Sequence, residues 1–303
     1  MRILLIGANG QVGYELHRSL VGVGEIVPTT RSGQLPGSRA ACETADLDQP
    51  GAMEDLVSRV APDIVVNAAA YTAVDKAESD RDGAYRANAE SVEALAHACA
   101  KRGASLLHYS TDYVFPGDGS RPWREDDATA PLGIYGASKL AGEEAIRASG
   151  CRHIIVRTAW VFGSRGNNFL RTMLRLAGER EELRVVADQV GSPTPAPWIA
   201  LGTARILSQL PTDHRSGTWH LVAGGETSWQ GFAEAIVDDA ARAGLIDAPP
   251  RVTGIETKEF PTPARRPAYS RLDTTRLSRD FGISLPNWRS GVTEVIADLA
   301  TGP

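Results

Sequence analysis

Short apolar segments alternate with amphipathic segments along the first half of the chain. The apolar segments have the length of strands, and the predicted strands lie at residues 2–6, 25–29, 63–67, 105–109 and 153–157. The segments between them repeat apolar residues every three or four positions, which predicts helices at residues 11–21, 51–60, 82–102 and 135–149. Strands that alternate with helices indicate a parallel sheet covered on both faces. This half of the chain therefore predicts an α/β fold with a doubly wound parallel sheet of the Rossmann type.

The pattern changes after Phe162. Prolines become frequent, and a helical pattern persists only at residues 198–210, 228–243 and 290–300. We therefore predict a dinucleotide-binding domain at residues 1–162 and a smaller C-terminal lobe at residues 163–303. This lobe is expected to bind mainly the substrate, with some of its segments returning to the first domain.

Composition argues against several classes of protein. The net charge is −5 and no basic stripe is present, so a nucleic-acid partner is not expected. The three cysteines are far apart and odd in number, so neither a disulfide framework nor a zinc site is expected. No segment approaches the ~20 apolar residues needed to cross a bilayer, and we expect a soluble, cytoplasmic protein with no membrane partner.

A glycine-rich turn connects the first predicted strand to the first predicted helix. It reads GANGQVG from Gly7 to Gly13, with Gly10 between them. In a dinucleotide-binding turn, such glycines permit a tight bend, close approach of the main chain to a pyrophosphate, and close packing of helix on strand. The N–H groups of the helix N-terminus then bind the phosphates. An ordinary glycine-rich turn is the alternative, but this position in the chain favours dinucleotide binding.

The end of the second predicted strand distinguishes between two cofactors. Enzymes that bind NAD usually carry an acidic residue there, which bonds the ribose 2′-hydroxyl. Here the sequence reads Thr29-Thr30-Arg31-Ser32, with no acid and one arginine. Because a guanidinium can bind a 2′-phosphate in bidentate fashion, NADPH is the expected cofactor, with NADH as the alternative. The competing interpretation of Arg31 is a solvated loop charge.

A Tyr-x-x-x-Lys motif lies at the start of the fourth predicted helix. Tyr135 and Lys139 are four residues apart, which places them on one face of that helix. A neighbouring ammonium stabilises a phenolate, so a tyrosine in this setting can protonate a carbonyl oxygen during hydride transfer. Ser110 or Thr111, at the end of a predicted strand, could add a hydroxyl donor. The motif alone is often a solvated helix face, but all these groups follow the carboxyl ends of predicted strands, where sites of open α/β sheets form.

Together these residues resemble the extended short-chain dehydrogenase/reductase family. Within it, four further segments are similar to signatures of the dTDP-4-dehydrorhamnose reductases. They are STDYVF from Ser110, VRTAWVFG from Val156, DQVGSPT from Asp188 and RPAYSRLD from Arg266. The resemblance implies the last step of dTDP-rhamnose biosynthesis, in which NADPH reduces the C4 keto group of dTDP-4-dehydro-6-deoxy-L-mannose to give dTDP-L-rhamnose.

The resemblance also implies a role for individual residues. Tyr135 would be the general acid, Lys139 its partner, and Thr111 a hydrogen-bond donor to the carbonyl or the tyrosine. The nucleotide-sugar substrate would contact Asp112, Tyr113, Trp160 and Arg266. Besides the glycines, the tyrosine and the lysine, the expected cofactor contacts are Gln11, Val12, Arg31, Asp46, Leu47, Ala68, Ala69, Ala70, Tyr71 and Asn88.

Several of these assignments have a structural alternative. Trp160 could belong to the core, Arg266 could pair with Glu259 or face solvent, and Asp112 could cap the turn that follows it. Some enzymes of the resembled type are magnesium-linked dimers, and Glu15 lies at a suitable position. The stretch after Thr194 supplies no acids to match, so no metal is predicted, and the protein is expected to be a monomer or a homodimer.

Other functions remain as alternatives. An epimerase usually carries the acidic ribose contact that is missing here, and a dehydratase usually has Asp-Glu where this chain has Asp112-Tyr113. A 4-ketoreductase that acts on a different nucleotide-deoxysugar would share all the motifs. A non-catalytic, reductase-like regulatory subunit would tolerate loss of Tyr135 or Lys139, and both are present.

Overall fold

The computed structural model describes residues 1–35, 42–210 and 215–302 of the chain. The strands are β1 (Arg2–Ile6), β2 (Glu25–Thr30), β3 (Glu43–Thr44), β4 (Ile64–Asn67), β5 (Ser105–Thr111), β6 (Arg152–Thr158), β7 (Val161–Phe162), β8 (Glu182–Val186), β9 (Val190–Gly191), β10 (Thr194–Pro195), β11 (Gly217–His220), β12 (Thr227–Ser228) and β13 (Arg251–Ile255). The helices are α1 (Gln11–Ser19), α2 (Gly51–Val60), α3 (Val74–Ala77), α4 (Arg81–Tyr85), α5 (Ser91–Arg102), α6 (Ile134–Ala148), α7 (Phe169–Ala177), α8 (Ala196–Gln209), α9 (Trp229–Arg242), α10 (Thr275–Phe281) and α11 (Trp288–Thr301).

Seven strands form the central sheet, in the order β11-β6-β5-β4-β1-β2-β3. Every neighbouring pair in it is parallel. The chain winds outward from β1 in both directions, so the strand order reverses between β1 and β4. Ligands of such sheets bind at the carboxyl ends of the strands beside this reversal. The predicted doubly wound α/β fold is confirmed.

Both faces of the sheet are covered by helices, as uninterrupted apolar strands require. On one face, α2, α5 and α6 enclose a core that includes Leu4, Met53, Leu95, Leu106 and Ile146. On the other face, α1, α8 and α10 enclose a core that includes Leu5, Leu16, Ile199, Leu207 and Leu277. Helices α8 and α10 and strand β11 come from the second half of the chain. That half therefore contributes directly to the central sheet and to the core on one of its faces.

A second apolar core lies under α7, α9 and α11. Its buried members include Leu170, Leu183, Phe232, Ile236 and Val292. Strand β8 pairs in parallel with β13 beside this core. Within the residues described, no helix combines the length and the apolar character needed to cross a membrane.

The helix predicted at residues 82–102 is interrupted in the structure. It begins as α4, passes through a π-helical turn at Arg86–Glu90 and continues as α5. Single π-helical turns are rare and are often found at functional sites. Here the turn carries Asn88, whose side chain is completely buried.

Candidate active site

The turn between β1 and α1 requires glycine at two positions. Gly7 has a φ of +82°, and a Cβ at this position would lie 2.9 Å from the main-chain nitrogen of Ala69. A Cβ at Gly13 would lie 2.0 Å from the carbonyl oxygen of Gly7. The Gly10 N–H donates to the same oxygen at 2.9 Å. These glycines therefore allow β1, α1 and the turn after β4 to approach one another closely.

Helix α1 presents an uncapped N-terminus at this turn. No side chain caps it, and its first turn contains no acidic residue, so its N–H groups are suited to an anion. The Gln11 side chain is already engaged, because Nε2 donates to the Val161 carbonyl at 3.2 Å and Oε1 accepts from Asn168 at 2.6 Å. Because its side chain is occupied, Gln11 can contact a pyrophosphate only through its main chain, which lies beside the partly buried Val12.

Two further predicted cofactor contacts follow β2 and β3. Arg31 is exposed and forms no salt bridge within the part of the chain that the structure describes. Asp46 Oδ1 accepts from the Asp48 N–H at 3.1 Å, and the Leu47 carbonyl accepts from the Ser91 hydroxyl at 2.6 Å. The loop after β3 is thus held by one hydrogen bond of its own and one from α5, while the Arg31 guanidinium is accessible to a ligand.

Two buried asparagines hold the turn after β4. Asn67 Oδ1 accepts from the Ala69 N–H at 3.2 Å. Asn88 accepts from the Tyr71 N–H at 2.9 Å and donates to the Tyr71 carbonyl at 3.1 Å. Asn88 Nδ2 also donates to the Ser138 hydroxyl on α6 at 3.0 Å. Because all these partners are protein groups, Asn88 acts on the predicted cofactor site by holding the turn and α6 in place.

Helix α6 carries Tyr135 and Lys139 to the carboxyl end of β5. A Cβ at Gly136 would lie 2.2 Å from the Tyr113 carbonyl oxygen. A Cβ at Gly142 would lie 2.1 Å from the Asn88 carbonyl oxygen. Glycine at these two positions therefore lets α6 pack closely against the segment after β5 and against the π-helical turn.

Lys139 is buried behind the tyrosine, with a relative exposure of 2%. Its Nζ lies 3.0 Å from His108 Nε2 and donates to the Tyr109 carbonyl at 2.7 Å. Burial lowers the pKa of Lys139 to about 7, against an opposing attraction from the Glu143 carboxylate. The amine can therefore change its charge close to neutral pH.

Tyr135 lies between Tyr113 and Thr111. The rings of Tyr113 and Tyr135 meet edge to face, with centroids 5.6 Å apart. Burial raises the pKa of Tyr135 to about 12, against an opposing hydrogen bond with the Thr111 hydroxyl. The phenol is therefore protonated at neutral pH and can act as an acid. Thr111, rather than Ser110, is the hydroxyl beside it, since successive residues of a strand face opposite sides of the sheet.

Asp112 is buried next to this pair. Thr111 Oγ1 donates to Asp112 Oδ1 at 3.0 Å and accepts from the Tyr113 N–H at 3.2 Å, so Thr111 rather than Asp112 caps the 3-10 turn Asp112–Val114. Asp112 Oδ2 has no well-oriented hydrogen-bond partner within the described residues, although the Ser270 hydroxyl is close enough to oppose a rise in the pKa of Asp112. Burial raises the pKa of Asp112 to about 6. A buried carboxylate with an unused oxygen is suited to a polar group of a ligand.

Trp160 lies between the second apolar core and a smaller apolar cluster. Its side chain packs on the second core and on a small cluster that contains Val114 and Phe115. It stacks on Trp229 with ring centroids 3.5 Å apart and an angle of 4° between the planes. Its φ is +47°, a conformation that non-glycine residues rarely adopt and that is more frequent at functional sites. Trp160 is thus packed against protein on one side and remains partly exposed.

Arg266 pairs with Asp75, not with Glu259. The two guanidinium nitrogens donate to the two carboxylate oxygens at 3.1 and 2.7 Å, in bidentate fashion. Glu259 pairs with Arg184 instead. Because Asp75 is on α3, shortly after the turn that follows β4, this ion pair joins the C-terminal segment to the cofactor side of the site.

Glu15, the position considered for a metal contact, lies on α1. Burial raises its pKa, and the Arg18 guanidinium 3.8 Å away opposes this shift. Among residues 1–35, 42–210 and 215–302, no group of three or more His, Cys, Asp or Glu side chains is arranged to hold a metal ion.

Several residues that shape the site were given no role from the sequence. His108 is completely buried and follows the apolar pair Leu106-Leu107 in β5, and a polar residue at such a position is a signal that could have been used. Asp75 and Trp229 gave no comparable signal, because their partners Arg266 and Trp160 are far away in the sequence. The structure brings the predicted residues Thr111, Asp112, Tyr113, Tyr135 and Lys139 together, whereas Arg31 stands apart at the end of β2.

Comparison with known proteins covers nearly the whole chain. The family model described as RmlD substrate binding domain matches residues 1–301. The chain is 46% identical to a dTDP-4-dehydrorhamnose reductase of Shigella flexneri and 48% identical to one of Burkholderia thailandensis, in each case over 99% of both chains. A crystal structure of dTDP-4-dehydrorhamnose reductase from Bacillus anthracis, in complex with NADP, is 35% identical, covers 98% of both chains and gives a TM-score of 0.87.

Proposed function

Because this chain belongs to the RmlD family of dTDP-4-dehydrorhamnose reductases, it reduces dTDP-4-dehydrorhamnose with NADPH. We propose that Tyr135, Lys139 and Thr111 supply the proton for this reduction. The C4 keto group of dTDP-4-dehydro-6-deoxy-L-mannose becomes a hydroxyl, which gives dTDP-L-rhamnose. The observation that carries the residue assignment is the hydrogen bond between the Tyr135 and Thr111 side chains beside the carboxyl end of β5. Lys139 follows one turn along α6 and donates to the Tyr109 carbonyl of the same strand. The family match favours reduction over the epimerase and dehydratase alternatives, and the complete Tyr-Lys-Thr set argues against the regulatory alternative.

The cofactor fits the glycine turn. NADPH, when bound, supplies the hydride. The uncapped N-terminus of α1 supports a site for the pyrophosphate, with Gly10 and the main chain of Gln11 and Val12 beside it. The turn at Ala68–Tyr71 would line the same site, and the accessible Arg31 would bind the 2′-phosphate.

Tyr135 donates the proton to the C4 oxygen in this proposal. Its raised pKa keeps the phenol protonated until the carbonyl oxygen gains negative charge. A positively charged Lys139, one helical turn along α6, stabilises the phenolate that remains. The Thr111 hydroxyl, held by Asp112 and the Tyr113 N–H, orients the carbonyl or the tyrosine.

The substrate is proposed to lie between the sheet edge and the second core. Asp112 would accept a sugar hydroxyl through its unused oxygen, and Tyr113 and the exposed part of Trp160 would pack against the sugar. Arg266 uses four of its five N–H groups on Asp75, the Ala264 carbonyl and the Tyr113 hydroxyl, so one remains for a diphosphate.

A direct assay tests the function. Purified protein is mixed with NADPH and dTDP-4-dehydro-6-deoxy-L-mannose, and the nicotinamide absorbance is followed. We expect NADPH consumption with dTDP-L-rhamnose as the product. Tight NADPH binding without turnover would contradict the substrate assignment while leaving the cofactor assignment intact.

The Arg31→Ala variant tests the 2′-phosphate contact. Loss of a charge-assisted hydrogen bond is expected to raise the KM for NADPH about tenfold, with little change for NADH, which lacks the phosphate. Arg180→Ala serves as the control, because Arg180 is an exposed arginine outside the proposed cofactor site. An equal rise for both nucleotides in steady-state kinetics would argue against the assignment.

A further inference from the structure

A chain of buried hydrogen bonds runs behind the tyrosine and ends at Lys139. The Ala69 N–H bonds Asn67 Oδ1 at 3.2 Å, Asn67 Nδ2 lies 3.1 Å from His108 Nδ1, and His108 Nε2 lies 3.0 Å from Lys139 Nζ. The exposure of Asn67, His108 and Lys139 is at most 2%. Asn67 lies on β4, His108 on β5 and Lys139 on α6, so each of these three elements contributes one side chain to the hydrogen-bonded chain.

The hydrogen bond from Ala69 to Asn67 determines which group donates and which accepts in the other hydrogen bonds of the chain. A main-chain N–H can only donate, so the oxygen of the Asn67 amide must face Ala69 and its NH₂ group must face His108. His108 Nδ1 is therefore an acceptor. Burial and the neighbouring Lys139 hold the pKa of His108 well below its ordinary value, so the ring is neutral and its single proton is on Nε2. That N–H points at Lys139 Nζ, which must offer a lone pair in return.

We propose that His108 is a positioning residue that stabilises Lys139 as the uncharged amine in the ligand-free protein, and that Asn67 enforces this by fixing the tautomer of His108. An ammonium has no lone pair, so charging Lys139 opposes the Nε2–H group of His108. The two could be reconciled only if His108 moved its proton to Nδ1, where the NH₂ group of Asn67 cannot accept it. The network therefore resists protonation of Lys139.

The other groups around Nζ do not remove this effect. The Tyr109 carbonyl on β5 accepts from either form of Lys139, and more strongly from the ammonium. Glu143, one turn further along α6, favours the ammonium. Its carboxylate is already bound by Arg157 on β6 and by Arg147 on α6, which reduces its attraction for Lys139. Burial of Nζ itself lowers the pKa of Lys139 to about 7, in the same direction as the proposed effect of His108.

This arrangement has a consequence for the reaction, which rests on the proposed function. If the ammonium form of Lys139 assists Tyr135, activity needs a protonated lysine. The pKa of Lys139 is lowered, so the working form is present below about pH 7 and disappears as the pH rises through that value. We therefore expect kcat/KM for reduction to fall above about pH 7.

The Asn67→Asp variant tests the direction of the network. A carboxylate can accept from both Ala69 and His108, so the His108 proton should move to Nδ1 and Nε2 should accept from a charged Lys139. The proton belongs on lysine because its ordinary pKa is far above that of histidine. We expect the alkaline limb of kcat/KM to move upward by about one pH unit or more. His108→Gln, which offers an amide oxygen to Nζ, should move the limb in the same direction.

The tautomer can be read without turnover. Nitrogen-15 NMR of the histidine-labelled protein distinguishes protonated from unprotonated ring nitrogens, and the His108 signals are those that vanish in His108→Gln. We expect an Nε2-protonated ring in the unmodified protein and an Nδ1-protonated ring in Asn67→Asp. His153→Gln, on the outer end of β6, is the control that should leave both the His108 signals and the pH profile unchanged.

Each outcome of these measurements decides the inference. A His108 ring protonated on Nδ1 in the unmodified protein would overturn it. So would an Nε2-protonated ring combined with an unmoved alkaline limb in both variants, because His108 would then not control Lys139. An inactive protein with the expected tautomer would contradict the proposed function instead. NADPH binding by each variant verifies that it is folded.

Discussion

Replacement of Tyr135 by phenylalanine is expected to lower kcat by about 10³-fold, because general acids of this kind contribute roughly 10²- to 10⁴-fold to the rate. The change removes one oxygen atom and keeps the ring that meets Tyr113 edge to face. The glycine turn and Arg31 are untouched, so the affinity for NADPH should change far less than kcat does. Steady-state kinetics and a fluorescence titration with NADPH measure the two quantities separately.

The pattern of the loss identifies the role of the hydroxyl. A group that acts only in the transition state lowers kcat and kcat/KM together, whereas a group that merely binds substrate raises KM. Tyr85→Phe is a matched control, because Tyr85 lies on α4, where its ring contacts Arg81, and has no role in the proposed site. Substantial activity in Tyr135→Phe would transfer the acid role to another group near the carbonyl, of which Asp112, with its pKa raised to about 6, is the nearest candidate.

Much of the first half of the fold could be predicted because its signals are local. Strand β1 and helix α2 have the predicted bounds, since an apolar run that ends in glycine and a period of three to four residues are each contained in a few positions. The glycine turn could be predicted for the same reason. Its function depends on Gly7 and Gly13 approaching main chain that follows directly from the order of strand, turn and helix.

The second half gave weaker signals. Helix α7 and the paired strands β8 and β13 were not predicted, because each is short and buries only a few residues against α9 and α11. Strand β11 joins the central sheet after a long excursion, and its pairing with β6 depends on contacts that no short segment contains. The π-helical turn at Arg86–Glu90 also escaped prediction, since alanine-rich sequence fits a regular helix equally well.

The candidate site shows the same difference between features with local sequence signals and features that depend on contacts between distant residues. The sequence predicts which residues gather at the carboxyl ends of the strands, because parallel strands bring those ends to one edge. It does not predict the partner of each side chain. Arg266 meets Asp75 across 191 residues, and Lys139 meets His108 across 31, through the packing of α6 on β5. These pairings arise only when elements that are distant in the sequence pack together.

One such pairing is expected to dominate the stability of the site. Arg157 on β6 binds Glu143 on α6 through two hydrogen bonds of 2.9 and 2.7 Å, and exposure is 2% and 0% for the two side chains. The Arg157→Met variant should lower the free energy of unfolding by about 3–5 kcal/mol, because it leaves a buried carboxylate without its main partner. Urea denaturation measures the difference.

The pH dependence of that loss separates charge from packing. Burial alone would raise the pKa of Glu143, but Arg157 holds it below its ordinary value. The pair therefore stabilises the unmodified protein above the pKa of an unfolded glutamate and loses this effect as the pH falls. Without Arg157 the pKa of Glu143 should rise, so the buried carboxyl can become neutral by taking up a proton. The loss in free energy of unfolding of Arg157→Met should therefore be smaller at pH 5 than at pH 8. Arg175→Met, in an exposed pair with Glu179, should cost at most about 1 kcal/mol at either pH. A deficit that stays constant over this range would mean that lost packing against Phe115, rather than the buried charge, accounts for the destabilisation.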